Sequence, residues 1–190
     1  MKFIFLFMIS LALGTTGIAQ STWKADPMHS KVTFSAPHMG ISDIDGLFKT
    51  FELSARSSQA DFSDAVFELS VDVASIDTEV QPRDKHLRSG DFFEVEKFPK
   101  MTFKSTSVKK NGKDRYKLTG DLTIRGITKP VTMDFWYRGT TQNPQNKATT
   151  AGFKVTGTIK RSDFGVGPNF PPPMIGDEIA IQVDGELIKQ

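Results

Sequence analysis

Three histidines, His29, His38 and His86, and one charged run, Arg83-Asp84-Lys85-His86 with Arg88 close behind, carry most of the chemistry available to this sequence. Three imidazoles could hold a zinc ion if they converged around an open fourth position. Their spacing does not require convergence, and no metal is expected. With no cysteine in 190 residues, disulfides, thiolate nucleophiles and cysteine-ligated metals are excluded. No H-E-x-x-H, G-x-S-x-G or phosphate-cradling glycine loop is present, so metalloprotease, serine-hydrolase and nucleotide chemistry have no anchor. Neither a catalytic residue nor a cofactor is expected. The charged run has two readings. In one, Asp84 and its cationic neighbours tie a short helix to the rest of the fold through surface ion pairs. In the other, Arg83, His86 or Arg88 meets the polar or anionic head group of a ligand, since charge-assisted hydrogen bonds orient such groups well. Asp26, His29 and His38 could form a buried hydrogen-bonded set, because polar groups near a core must be paired.

The elements that must position these residues are strands. Apolar and polar residues alternate with period two from Lys31 onward, the pattern of strands with one buried face. Val32, Phe34 and Ala36 form one inward series, which His38 continues. Leu47, Phe51 and Leu53 read inward against Phe48, and Phe67, Leu69, Val71 and Val73 follow. Met101 and Phe103 lie on a further strand. Leu118 and Leu122, then Met133 and Phe135, then Phe153 and Val155, and finally Ile179 and Ile181 continue the inward face. The count is about eight.

Asn111-Gly112 predicts a hairpin between 101–110 and 115–125, and 126–130 the next reversal. Short consecutive connections imply antiparallel neighbours. Closing the sheet on itself removes the edges that an open one exposes, so the fold expected is an all-β, eight-stranded antiparallel barrel. Pro82 and Gly90 bracket one short helix between strands. A barrel of this size is either filled by side chains or holds one ligand. Gly120, Gly157, Gly185 and Ala36 on the inward face leave room for a chain or mark bends.

Composition narrows the partners. A formal charge of +2 gives too small a basic excess to neutralise a phosphate backbone, and nucleic acid is not expected. Lys2, the apolar run 3–13 and Gly17-Ile18-Ala19 have the form of a signal peptide cleaved before Gln20, leaving 20–190 as a single exported domain without a membrane-spanning segment. Trp136 falls on the outward parity and is a candidate anchor for a weak homodimer contact.

Several ordered motifs resemble the YceI-like family. They are Trp23, Asp26, His29 and Ser30 at the start; His38-Met39-Gly40-Ile41-Ser42; Gly46-Leu47-Phe48; Ser75-Ile76-Asp77-Thr78 followed by residues 83–89 and Asp91-Phe92-Phe93; Gly120-Asp121-Leu122-Thr123-Ile124; residues 126–131; Gly152-Phe153; Arg161-Ser162-Asp163-Phe164-Gly165; and Gly176-Asp177-Glu178. The resemblance implies an extended lipocalin-like barrel, a periplasmic or secreted location, and a lumen that carries one long apolar chain, a polyisoprenoid, quinone or acyl tail. Phe34, His38, Phe51, Phe67, Leu69, Phe103, Leu118, Leu122, Met133, Phe135, Phe153, Val155, Ile179 and Ile181 would then line it, with Arg83, His86 and Arg88 at its mouth. The alternatives are a solid-cored envelope protein acting through its surface as a stress or interaction factor and, less favoured, a lipid-modifying enzyme. Segment 168–176, with Pro171-Pro172-Pro173, is richer in proline than the family suggests at this point, and reads as a stiff surface connection or as part of the mouth.

Overall fold

The structure, a computed structural model, describes residues 20–190; the predicted signal peptide lies outside them. The described residues form one antiparallel sheet of strands β1 (Ser21–Ala25), β2 (Lys31–His38), β3 (Ser42–Phe48), β4 (Phe51–Ser57), β5 (Val66–Asp72), β6 (Ile76–Asp77), β7 (Lys100–Lys110), β8 (Arg115–Ile124), β9 (Ile127–Gln142), β10 (Thr149–Lys160) and β11 (Glu178–Lys189). Eight of them close a ring in the order β1-β4-β5-β7-β8-β9-β10-β11, and β11 returns to β1. Closure leaves no free edge on these eight.

The remaining strands enlarge one end. β11 pairs with β1 through residues 187–189 and with β2 through 180–184, so two short strands share one flank of a long one. β2 continues into β3, and β3 reaches β6 through Leu47↔Asp77 and Phe48↔Ile76. The single α-helix among the described residues, α1 (Gln81–Arg88), follows directly, opened by Pro82 and ended before Gly90, as the sequence predicts. Its missing proline N–H falls in the first turn, where no intrahelical partner exists.

Two local expectations are corrected. Phe48, not Leu47, faces inward: it is 6% exposed against 37%, because the β2–β3 register places it opposite Val32 on the buried face. The β8–β9 reversal is a two-residue turn at Arg125 and Gly126, both with positive φ, so β9 begins earlier than 126–130 suggested and runs through Pro130. The proline is tolerated because it pairs only with Asp121 of β8, and β10 pairing reaches only Asp134.

The two ends of the barrel are packed differently. At the β1 end, aromatic rings fill the interior: Trp23 on Phe62 with centroids 5.0 Å apart, Phe62 on Tyr137 at 5.4 Å, Phe67 on Phe135 at 5.2 Å and Tyr116 on Phe135 at 5.5 Å. Tilted and edge-on contacts of this kind add about 0.5–1.5 kcal/mol each to the burial of the rings. Tyr116 donates to Asp61 Oδ2 at 3.1 Å; burial first, and then that bond, push its phenol up to about 12. It therefore stays neutral inside the packed end.

Candidate functional site

The other end is hollow. A cavity of about 280 Å³ lies among β2, β3, β5, β7, β8, β10, β11, α1 and the loops beside them. Each strand contributes through the residues on its inward face near this end. Leu69 and Val71 line it on β5, Leu122 and Ile124 on β8, and Ile179, Ile181 and Val183 on β11. Phe34 and His38 come from β2, Ile44 and Phe48 from β3, and Leu87, Phe92 and Phe93 from the helix and the turn after it. The lining is almost wholly apolar.

Of the residues expected to line a lumen, Phe34, His38, Leu69, Leu122, Ile179 and Ile181 are brought together here, and Arg83 joins them. Phe67, Leu118, Met133, Phe135 and Phe153 are buried in the core and do not border the cavity, and Phe51, Phe103 and Val155 pack against that core. Phe67 lies further along β5 than Leu69, whereas Phe51, Phe103 and Val155 sit opposite the lining residues Val71, Leu69 and Val183 on neighbouring strands. The inward glycines give no room there. A Cβ on Gly120 would come within 2.5 Å of the Phe103 ring, and one on Gly157 within 2.3 Å of Met133 Sδ. Each of these two glycines is the seat of a large neighbour, and Gly185 that of Ser30. Ala36 does border the cavity.

The mouth candidates separate. Arg83 donates from Nε to Thr78 Oγ1 and from Nη2 to Thr78 O, both at 2.7 Å. Arg88 spends Nε on Ala74 O and Nη2 on Ile76 O, and faces an outer polar groove. His86 pairs with Asp91 Oδ2 at 2.9 Å and lies edge-on to Phe92 and Phe170. Neither of these two borders the cavity. Asp84 does not form surface ion pairs. It is 6% exposed and accepts from Thr78 N at 2.9 Å and Thr78 Oγ1 at 2.6 Å, tying the helix to the barrel by neutral donors.

Sequence reasoning missed Arg161, which lies in a 3-10 turn after β10 and is 7% exposed. A guanidinium has five N–H donors, and here each has a main-chain acceptor. Nε donates to Gly176 O at 3.0 Å, Nη1 to Val166 O at 2.8 Å and Gly167 O at 2.7 Å, and Nη2 to Ile175 O at 2.9 Å and to Phe170 O. One side chain thus holds the start, middle and end of the proline-rich segment. That segment also pairs with the end of β2, through Gly176 N to Pro37 O at 2.7 Å and Met39 N to Met174 O at 3.2 Å, so it forms part of the cavity rim. The signal in the sequence was an arginine followed by a carbonyl-rich, donor-poor run of prolines.

The remaining chemistry lies elsewhere. His29 is exposed and pairs with Asp26 Oδ2 at 2.8 Å, so no buried set of Asp26, His29 and His38 forms, and His38 borders the cavity, as its inward parity suggested. That hydrogen bond is the main reason Asp26 is lowered and His29 raised from their ordinary values. With Glu186, these two side chains bring ligand atoms within 4.8 Å of one another. Trp136 carries the guanidinium groups of Arg115 and Arg138 over its ring, 3.8 Å and 4.8 Å from the centroid.

The model of the YceI-like domain family matches residues 23–187. Protein YceI of Salmonella arizonae is 38% identical over 182 residues, covering 94% of each chain. Among solved structures, Burkholderia cenocepacia BcnA superimposes with a TM-score of 0.75 at 27% identity, over 87% of this chain and 99% of that one. A polyisoprenoid binding domain from Saccharophagus degradans shares the fold, with a TM-score of 0.65 at 14% identity over 92% of this chain and 100% of that one.

Proposed function

As the chain belongs to the YceI-like domain family, we propose that it is an exported carrier that holds one long apolar chain, a polyisoprenoid, quinone or acyl tail, in the hollow end of its barrel without chemically altering it. The observation that carries this reading is the cavity itself. Its lining is almost wholly apolar, and it abuts the packed core of the barrel. Burying a tail there is worth about 0.8 kcal/mol per methylene before ordering costs are subtracted. A polyisoprenoid is what the Saccharophagus relative is named for binding, and it has the chemistry this lining suits.

The size of the cavity sets a limit. At about 280 Å³ it lies at the low edge of the ~300–1,000 Å³ usual for ligand pockets. It accepts the end of a chain, and the remainder emerges past the rim or displaces the proline-rich segment. Affinity therefore rises with tail length until the cavity is full and then levels off.

Native mass spectrometry of the mature protein purified from its exported compartment, followed by organic extraction, tests the proposal. The expected result is a mass lacking residues 1–19 together with a stoichiometric prenyl or acyl lipid. A bare protein that also refuses such lipids when offered would overturn the carrier reading and favour action through the surface.

A further inference from the structure

The cavity has a charge pattern that an unselective tail-binding site does not need. Arg83 and Arg161 are its two arginines, and no aspartate or glutamate borders it. Arg161 is fully committed to main-chain carbonyls and has no proton to offer a ligand. Arg83 is not. Both of its bonds, to Thr78 Oγ1 and Thr78 O, fall on the Nε/Nη2 edge of the guanidinium plane. The Nη1/Nη2 edge, with two parallel N–H groups, and the second Nη1 proton have no acceptor among the described residues.

Three further facts bear on that free edge. No buried side-chain nitrogen or oxygen among the described residues lacks a partner, so Nη1 is open to the cavity or to solvent rather than sealed in protein. No carboxylate among the described residues lies in ion-pair range of Arg83. The nearest acid in the network, Asp84, accepts from Thr78 instead. Thr78 thus orients the guanidinium, and Asp84 orients Thr78. A positioned cation with a free fork beside an apolar cavity matches an anion that carries an apolar tail, because two parallel N–H groups meet two oxygens of a carboxylate or phosphate at once.

We propose that Arg83 is a head-group receptor, and that the cavity prefers lipids with a carboxylate or phosphate head over neutral-headed lipids of the same tail. This rests on the reading of the cavity as the tail site, and it narrows the ligand to an anionic amphiphile held end-on at Nη1 and Nη2. His86 and Arg88 take no part.

The test is displacement of the neutral apolar probe N-phenyl-1-naphthylamine from the mature protein at neutral pH by hexadecanoate, hexadecyl phosphate, hexadecanol and methyl hexadecanoate. The two anions are expected to displace it at about tenfold lower concentration or less, the scale of a charge-assisted pair in a partly shielded site. Separate values for the carboxylate and the phosphate rank the two heads. Arg83→Gln is expected to abolish the preference, read as the ratio of hexadecanoate to hexadecanol displacement within that variant, and Arg83→Lys to retain part of it. Equal affinity of all four compounds in the unsubstituted protein overturns the head-group assignment and leaves the tail site standing. Failure of every compound to displace the probe, or of the probe to bind, overturns the tail site and the head-group assignment with it. Should Arg83→Gln not fold, the comparison of hexadecanoate with its methyl ester in the unsubstituted protein decides the matter alone.

Discussion

The imidazole of His86 stands edge-on to the ring of Phe170, with centroids 5.4 Å apart, and Phe92 stacks on the same Phe170 at 4.8 Å. Helix α1, the turn after it and the proline-rich segment meet in that contact, so two sides of the cavity rim are joined by three rings.

Phe170→Ala is expected to loosen the rim rather than the barrel. The cost in stability is about 0.5–1.5 kcal/mol for each lost ring contact, on top of the lost burial of the ring, and amide exchange should rise in 166–176 and around 86–93 with β8 to β10 unchanged. Exchange that rises evenly through the barrel contradicts this.

Arg161→Met should be far more damaging. It strands several buried carbonyls at about 1–3 kcal/mol each, which predicts a loss of at least ~3 kcal/mol in denaturant unfolding. Arg161→Lys should not restore it, since an ammonium offers three donors from one point and cannot reach five carbonyls arranged around a plane. Recovery with lysine would show that charge, not the fork, holds the segment.

Phe67 is the next inward residue below Leu69 on β5, and Leu69 borders the cavity while Phe67 does not. Phe67→Ala is expected to cost about 3–5 kcal/mol and to deepen the cavity. The tail length at which affinity levels off should increase, as read by displacement with a series of fatty acids. An unchanged length would place the cavity's inner end elsewhere.

Two groups link stability to pH in opposite directions. Asp64 loses from desolvation but gains more from the Ser57 and Ser58 hydroxyls and the Ser58 and Gln59 amides, and it is lowered to about 2. Its contribution is present above its unfolded value of 3.8 and is lost as pH falls toward 2, so the difference in Tm between the protein and Asp64→Asn should shrink across that window. His29 is raised by its bond to Asp26. Its contribution is complete below 6.5, the ordinary value, and is lost as pH rises through the folded value. In an NMR titration His29 should titrate above 6.5, and Asp26→Asn should bring it down.

Period-two alternation was enough to reveal the antiparallel barrel, its Asn111-Gly112 hairpin and the inward set containing Phe34, Leu69, Leu122, Ile179 and Ile181. It could not reveal depth. Parity gives the face of a strand and not the height along the barrel axis, so Leu69 in the cavity and Phe67 beneath it look alike in sequence. Phe92, Phe93, Val166 and Ile175 were equally out of reach as lining, because they lie outside the long strands, where no periodicity exists to assign a face. Gly120 and Gly157 misled for a related reason: a missing side chain reads as space, and only the register shows Phe103 and Met133 occupying it.

The division of the barrel into a ring-filled end and a hollow end separates two demands that usually conflict. Cohesion resides where Trp23, Phe62, Phe67 and Phe135 interlock, and selectivity resides where few contacts are made across the void. Exchanges of similar size among Ile44, Leu122, Ile179 and Ile181 reshape the site at little thermodynamic risk, since they disturb none of those ring contacts. The shape of the cavity can therefore be retuned by a handful of conservative replacements without disturbing the rest of the scaffold, which makes it a ready starting point for engineered receptors.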